Sequence, residues 1–239
     1  MERMRLNKYL AHAGVCSRRD ADVLIARGQV LVDGQLPTPG CQVGPENVIM
    51  VSGKVVQQFD APVVLAFYKP VGVTCTEKDP HAERVISDLV KYPRRVTYAG
   101  RLDKDSEGLL LLTDDGDLIQ AMMKGSANHE KEYMVRVEKE ISADFVEKMG
   151  QGVYLEDLGV TTKPCKIERI GKYTFRIVLT QGLNRQIRRM VKACGNRVTE
   201  LKRERVMHVT LGKLKPGEYR ELSKEDVERL YRDCALAYK

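Results

Sequence analysis

Gly100-Arg101-Leu102-Asp103-Lys104-Asp105-Ser106-Glu107-Gly108, running straight into Leu109-Leu110-Leu111-Leu112, is the stretch on which the reading of this chain turns. A polar loop bounded by glycines feeds an apolar run, and Thr113-Asp114-Asp115-Gly116 closes that run as a turn. The leucines do not alternate with polar residues, and the run reads as a fully apolar strand. Loop side chains beside such a strand stand at the rim of the core, where loss of solvent alters their chemistry. Taken alone, Asp103 reads first as a turn former or cap. A chemical role needs partners elsewhere in the chain.

Asn184-Arg185-Gln186-Ile187-Arg188-Arg189-Met190-Val191 is the candidate partner. At 3.6 residues per turn Ile187, Met190, Val191 and Cys194 share one face, and Gly195 is a natural residue just past the helix end. On that spacing Arg185, Arg189 and Lys192 point away from the core, toward phosphates. Arg188 lies nearest the edge of the apolar stripe and is placed to reach a partly buried carboxylate, although spacing does not say which one. Between Gln181 and Arg205 eight Lys and Arg face only Glu200 and Glu204, and Lys202, Arg203 and Arg205 prolong the basic track. This local excess of six nearly equals the net charge of +7 for the whole chain. It fits either a polyanion partner, bound with release of counterions, or a solvated basic helix.

Further out, the chain alternates strand and helix signals. Val63 to Phe67 reads as a strand ended by Lys69-Pro70; Val85, Ile86, Leu89 and Val90 form one helical face; Lys131 to Val137 is strand-like. Ser142 caps a helix through Met149, with Gly150 past its end. Cys165 to Ile170 and Tyr173 to Thr180 pair around Gly171-Lys172, with Tyr173, Phe175, Ile177 and Leu179 on one side. Ser223 with Asp226 opens a last helix. Residues 4 to about 58 form a module of their own. It comprises a helix with Leu6, Tyr9, Leu10 and Ala13 stopped by Gly14, a second helix capped by Ser17 and Asp20 and ended by Gly28, and short strands at Gln29 to Val32 and Val48 to Val51 around the Asp33-Gly34 turn. The class is α+β, divided into residues 1–58, a linker over 59–63 and a second domain over 64–239.

Composition removes several classes. Hydrophobic residues at 43% and charged residues at 31% permit a buried core. No apolar run approaches the roughly 18 residues of a spanning helix, and Met1-Glu2-Arg3-Met4-Arg5 has no secretory character, so a cytoplasmic protein is expected. Six scattered cysteines contain no Cys-x-x-Cys pair, and His12, His81, His129 and His208 match no zinc spacing. There is no G-x-G-x-x-G and no Walker lysine loop.

Two resemblances sharpen this picture. Arg5-Leu6-Asn7-Lys8-Tyr9-Leu10, Gly14-Val15-Cys16-Ser17-Arg18-Arg19 and Gly28-Gln29-Val30-Leu31-Val32-Asp33-Gly34 resemble the ribosomal protein S4-like RNA-binding domain. That resemblance implies that Asn7, Lys8, Arg18, Arg19 and Arg27 face RNA phosphates. Arg18 and Arg19 also read as plain first-turn residues, yet two cations at a helix N-terminus oppose the helix dipole unless something anionic faces them.

The Asp103 loop, Lys131-Glu132-Tyr133 and the arginine helix resemble the RsuA/RluB/RluF family of ribosomal RNA pseudouridine synthases. The likeness runs over nearly the whole chain, including the Asn47 region and Lys215-Pro216-Gly217-Glu218-Tyr219-Arg220. His129-Glu130-Lys131-Glu132-Tyr133 leans toward the F-type large-subunit enzyme, as does Gly182-Leu183-Asn184, where many relatives have Gly-Arg-Asn. That departure removes a basic side chain near the site and bears on which RNA is bound.

The resemblance implies a catalytic domain with a mixed, mainly antiparallel sheet flanked by helices and loops. Its reaction cleaves uracil from ribose, turns it and rejoins it through carbon 5; nothing is oxidised or imported, so no cofactor or metal is implied. Asp103 would be the nucleophile or base, with the atom it attacks left open, and Arg188 the cation beside it. Tyr133 would pack on the uracil and serve in removing the carbon 5 proton, or else is a core strand tyrosine. Arg101 would fill the space left by the flipped base, or pair with Glu107 or Asp105. Leu201 reads as an apolar wall against uracil or as core, and Arg185, Arg189, Lys192, Lys202 and Arg203 as contacts to the RNA. The implied partner is RNA, a stem-loop of 23S ribosomal RNA, with transfer or small-subunit ribosomal RNA as alternatives. Nothing calls for a membrane or for more than a monomer. A non-catalytic S4-type RNA-binding protein is the competing class, but it has no use for Asp103, Tyr133 and Arg188 together.

Overall fold

The buried leucine run occupies the middle of a nine-stranded sheet. A computed structural model describes residues 3–57, 59, 61–76 and 83–238; His81 and two linker residues, Gln58 and Asp60, lie outside them. The main path of the sheet takes strands 166–169, 174–179, 131–137, 198–206, 107–113, 64–69 and 219–221 in that spatial order. Strand 97–99 adds to 107–113 and strand 209–210 to 198–206. Every pairing in it is antiparallel except 198–206 with 107–113, where Lys202 lies opposite Glu107 and Arg203 opposite Gly108. The sheet is mixed and mainly antiparallel.

Burial on both faces explains the missing alternation. Leu109 and Leu111 pack with Val64, Ala66, Leu118, Leu230 and Tyr231 on one side, while Leu110 and Leu112 pack with Leu65, Phe67, Ile86 and Leu102 on the other. A separate core gathers Val135, Phe145, Met149, Phe175, Ile177, Ile187, Met190 and Val191 under helices Ala143–Gln151 and Gln186–Ala193. The N-terminal module has its own core of Leu6, Tyr9, Leu10, Ala21, Val30, Val43 and Ile49. Ser17, Ser142 and Ser223 each accept a hydrogen bond from the backbone N–H three residues on, as N-caps do.

The structure departs from expectation at four places. Thr113-Asp114-Asp115-Gly116 does more than turn the chain: the Asp115 carboxylate accepts from Asp117 N and Leu118 N and starts helix Gly116–Met123. The third long helix runs on to Gln151, so Gly150 lies inside it, and Gly152, with φ of +99°, takes the terminating place. Tyr173 stands exposed outside its strand, leaving Phe175, Ile177 and Leu179 to line the core. The basic track over 198–206 is itself a central strand, in which Leu201, Arg203 and Val206 are buried.

Among the described residues, side chains of the two modules meet at Asp115 and Asp117. Lys8 Nζ lies 2.8 Å from Asp117, and His12 Nε2 lies 4.0 Å from Asp115. In the linker, Phe59 carries the Arg94 guanidinium 3.9 Å above its ring.

Candidate active site

The loop holding Asp103 is pinned from below. Lys69, with no exposed surface, donates to the carbonyls of Ser106 at 2.7 Å and Pro70 at 2.8 Å. Gly72 N donates to Lys104 O, Ser106 N to Asp103 O, and Leu102 N to the Cys75 sulfur. Burial lowers the Lys69 pKa, and a buried ammonium donating to carbonyls fixes the loop much as a cap fixes a helix. Sequence reading took Lys69 only as a strand end; a lysine closing a wholly apolar strand was the available signal.

So held, Asp103 opens onto a cavity of about 370 Å³ whose wall also includes Arg101, Tyr133, Leu201 and Arg188. That is within the size of small-molecule sites, which begin at about 300 Å³. Tyr133 packs against both neighbouring cores, and Leu201 is buried while still facing the cavity. Arg101 is exposed at the rim.

The arginines divide differently from their helical spacing. Arg185 precedes the helix instead of riding on it, in a left-handed conformation with φ of +51°. Gln186 secures that kink: its side chain accepts from Leu183 N at 3.0 Å and its own N–H donates to Leu183 O. Arg185 thereby turns inward, placing Nη1 3.4 Å from Asp103 and forking onto both oxygens of Asp105 at 3.1 and 2.7 Å. Arg188 does face inward, but it donates to the Asp105 carbonyl at 2.7 Å and to Ser106 Oγ at 3.1 Å. Hydrogen bonding by Arg185 holds the Asp105 carboxyl below the usual range. The ion pair expected between Asp103 and Arg188 is therefore made by Arg185, because a residue outside the helix does not obey the helical period.

Most of the remaining basic excess is also engaged. Arg189 pairs with Asp157 and donates to the Asn184 carbonyl; Arg205 binds Glu130 and Glu132; Arg197 binds Glu138. Lys202 lies 3.5 Å from Glu204. Arg203, read as part of a phosphate track, is only 3% exposed and donates through Nε to Leu109 O at 2.7 Å. Lys192 is exposed and has no ion pair among the described residues.

In the N-terminal module Asn7 donates to Asp22 at 2.9 Å, and Lys8 is engaged with Asp117 of the second domain. Arg27 is exposed just past the second helix, and Arg18 and Arg19 are exposed in its first turn. Cations there cost a helix about 0.3–1 kcal/mol each. Replacing Arg18 and Arg19 together by Ala should therefore leave the module as stable or slightly more so. It should also weaken RNA binding and flatten the slope of log K against log salt by about 1.5, the share of two phosphate contacts. A titration series in salt checks this, and an unaltered slope would remove both residues from the RNA surface.

An α+β domain with a carboxylate on a cavity wall, preceded by a small module of helices and strands with exposed arginines, has the arrangement of an active site served by a polyanion-binding surface. Comparison with known proteins gives the family. RNA pseudouridylate synthases match over residues 63–193 and the S4 domain over residues 4–49. The dual-specificity RNA pseudouridine synthase RluF of Escherichia coli strain K12 is 42% identical over 231 residues, covering 96% of this chain and 79% of that protein. Ribosomal large subunit pseudouridine synthase B of Bacillus subtilis is 38% identical, covering 95% of each. A crystal structure of a pseudouridylate synthase superimposes with a TM-score of 0.70 at 28% identity, covering 95% of this chain and 99% of the other. The chain belongs to the RNA pseudouridylate synthase family, among the RluF and RluB relatives, and is an RNA-modifying isomerase with an S4 domain.

Proposed function

We propose that this enzyme converts uridine to pseudouridine in large-subunit ribosomal RNA, with Asp103 as its nucleophile. The observation that carries the reading is the Asp103 carboxylate on the wall of the cavity, 3.4 Å from the Arg185 guanidinium and sharing that cavity with Tyr133. A uridine must leave its stack to enter, which costs a few kcal/mol and favours loops or strained helices. Tyr133 and Leu201 then sandwich the base, Arg101 at the rim holds the opened strand, and Arg188 keeps the 103–106 loop in register through Asp105 and Ser106. Lys192, Arg18, Arg19 and Arg27 supply exposed charge for the RNA backbone.

Residues 1–58 act as the RNA-binding unit, 59–63 as linker and 64–239 as catalytic domain, working as a monomer in the cytoplasm. Among the described residues no helix is long and apolar enough to cross a membrane. The large-subunit target is supported by the Bacillus subtilis relative so described, at 38% identity. Mapping pseudouridine in ribosomal and transfer RNA from cells with and without this protein tests the proposal. At least one site in 23S RNA should be lost with the gene; loss confined to transfer or 16S RNA would replace the proposed substrate.

A further inference from the structure

We infer that Lys131 and Arg203 form a cationic floor to the pocket that receives the negative charge carried by the uracil as its bond to the ribose breaks. The inference rests on the reading that the target base enters the cavity beside Asp103 and Tyr133.

Lys131 and Tyr133 are two residues apart on strand 131–137 and so share a face; Arg203 is the cross-strand partner of Tyr133. All three line the cavity. Among the described residues neither cation has an ion-pair partner. Arg203 Nη2 is buried with no hydrogen bond, and Lys131 Nζ has only a long contact, 3.4 Å, to the His129 carbonyl. A buried donor left unpaired costs about 1–3 kcal/mol, more when charged. Burial, together with the nearby Arg203 charge, pushes the Lys131 pKa down.

The neighbouring strand positions show that this deficit is local. A register shift after Arg203 puts Arg205 opposite Glu132, where it binds Glu132 and Glu130. Arg176 also takes Glu132. Glu130 and Glu132 therefore serve the two arginines 176 and 205, and Asp103 on the cavity wall pairs with Arg185, so among the described residues Lys131 and Arg203 have no carboxylate partner. Two adjacent cations that pair with no carboxylate and face a cavity are poised for negative charge brought in by the substrate.

The reaction supplies such charge at this depth. When the C1′–N1 bond breaks, both electrons pass to the ring and the charge spreads over N1, O2 and O4. C1′ is satisfied by a carboxylate oxygen of Asp103 or by loss of a ribose proton. The C1′–C5 bond then forms as the C1′–Asp103 oxygen bond breaks, or as the ribose carbon takes its proton back; the carbon 5 proton leaves and N1 gains one, so atoms and charge balance without a co-reactant. A backbone phosphate would lie nearer the rim, and Arg203 is buried on the floor. Donors held in place before the charge develops need no reorganisation when it appears.

The test compares single-turnover consumption of uridine and of 5-fluorouridine at the mapped site of a stem-loop RNA. The enzymes are wild type, Lys131→Gln, Arg203→Lys and Arg203→Met. Fluorine withdraws electrons and makes the base a better leaving group, so it should relieve the need for the cations. Lys131→Gln should slow uridine consumption on the order of 10²-fold, the scale of one lost electrostatic contact, with RNA affinity held within about threefold. The deficit should shrink by roughly tenfold with 5-fluorouridine, and Arg203→Lys should keep more activity than Arg203→Met. An equal deficit for both bases overturns the inference, as does a loss confined to affinity with a flatter salt slope. Should Lys131→Gln not fold, Arg203→Met, which also removes a cation, decides by the same ratio of the two bases. Full turnover in Asp103→Asn would instead sink the reading of the pocket itself.

Discussion

Asp103→Asn is expected to bind RNA as the wild type does and to release no tritium from RNA labelled at carbon 5 of uridine. The amide matches the carboxylate in shape but carries neither the charge nor the nucleophilic oxygen, so the loss in rate should be on the order of 10⁴-fold or more. Folding should hardly change. The ion pair that Asp103 makes with Arg185 is 3.4 Å long and both side chains are about a third or more exposed, and such pairs contribute at most about 1 kcal/mol. The loop keeps its shape because Lys69, Gly72 and Leu102 hold its backbone and its neighbours, not the carboxylate. Tritium release within tenfold of wild type would transfer the chemistry to another group, and Asp105 would be the first to examine.

The contrast between Asp103 and Asp105 shows what sequence could and could not reveal. The leucine run, the serine caps, the hairpin of strands 166–169 and 174–179 and the amphipathic face of helix 186–193 follow from periodicity and turn chemistry, which are local. The elements of the N-terminal module were legible for the same reason, whereas a chemical role for the Asp103 loop rested on its resemblance to the pseudouridine synthases. Arg185 was misjudged because its direction depends on a left-handed residue held by Gln186, and helical spacing assumes the helix has already begun. Strand 198–206 was read as a charged track because Arg203 and Arg205 find their partners, Leu109 O and Glu132 with Glu130, on or beside other strands. Lys8 was read as an RNA contact, yet its ion pair reaches across to Asp117. In each case the deciding partner lies far along the chain, where local pattern carries no information about it.

Gly108 turns that dependence on distant partners into the second large effect. It sits at the one parallel junction of the sheet, opposite Arg203, with φ of +110°. A Cβ built there would lie 2.2 Å from the Arg203 carbonyl oxygen and 2.6 Å from its nitrogen, both backbone atoms with no side-chain freedom to retreat. Gly108→Ala must either part strands 107–113 and 198–206 or twist residue 108 out of its conformation. Backbone strain at such a φ costs about 1–3 kcal/mol, and overpacking a rigid site adds about 1–3 kcal/mol. Together they should lower unfolding free energy in urea by roughly 2–6 kcal/mol, a large share of the 5–15 typical of a domain. Any protein that still folds should lose turnover as well, since the displaced strand carries Leu201 and Arg203 on one side of the pocket and the Asp103 loop leads into the other. Denaturation curves that differ by less than 1 kcal/mol would mean that the two strands are not in contact at Gly108, and the site built across them would have to be redrawn.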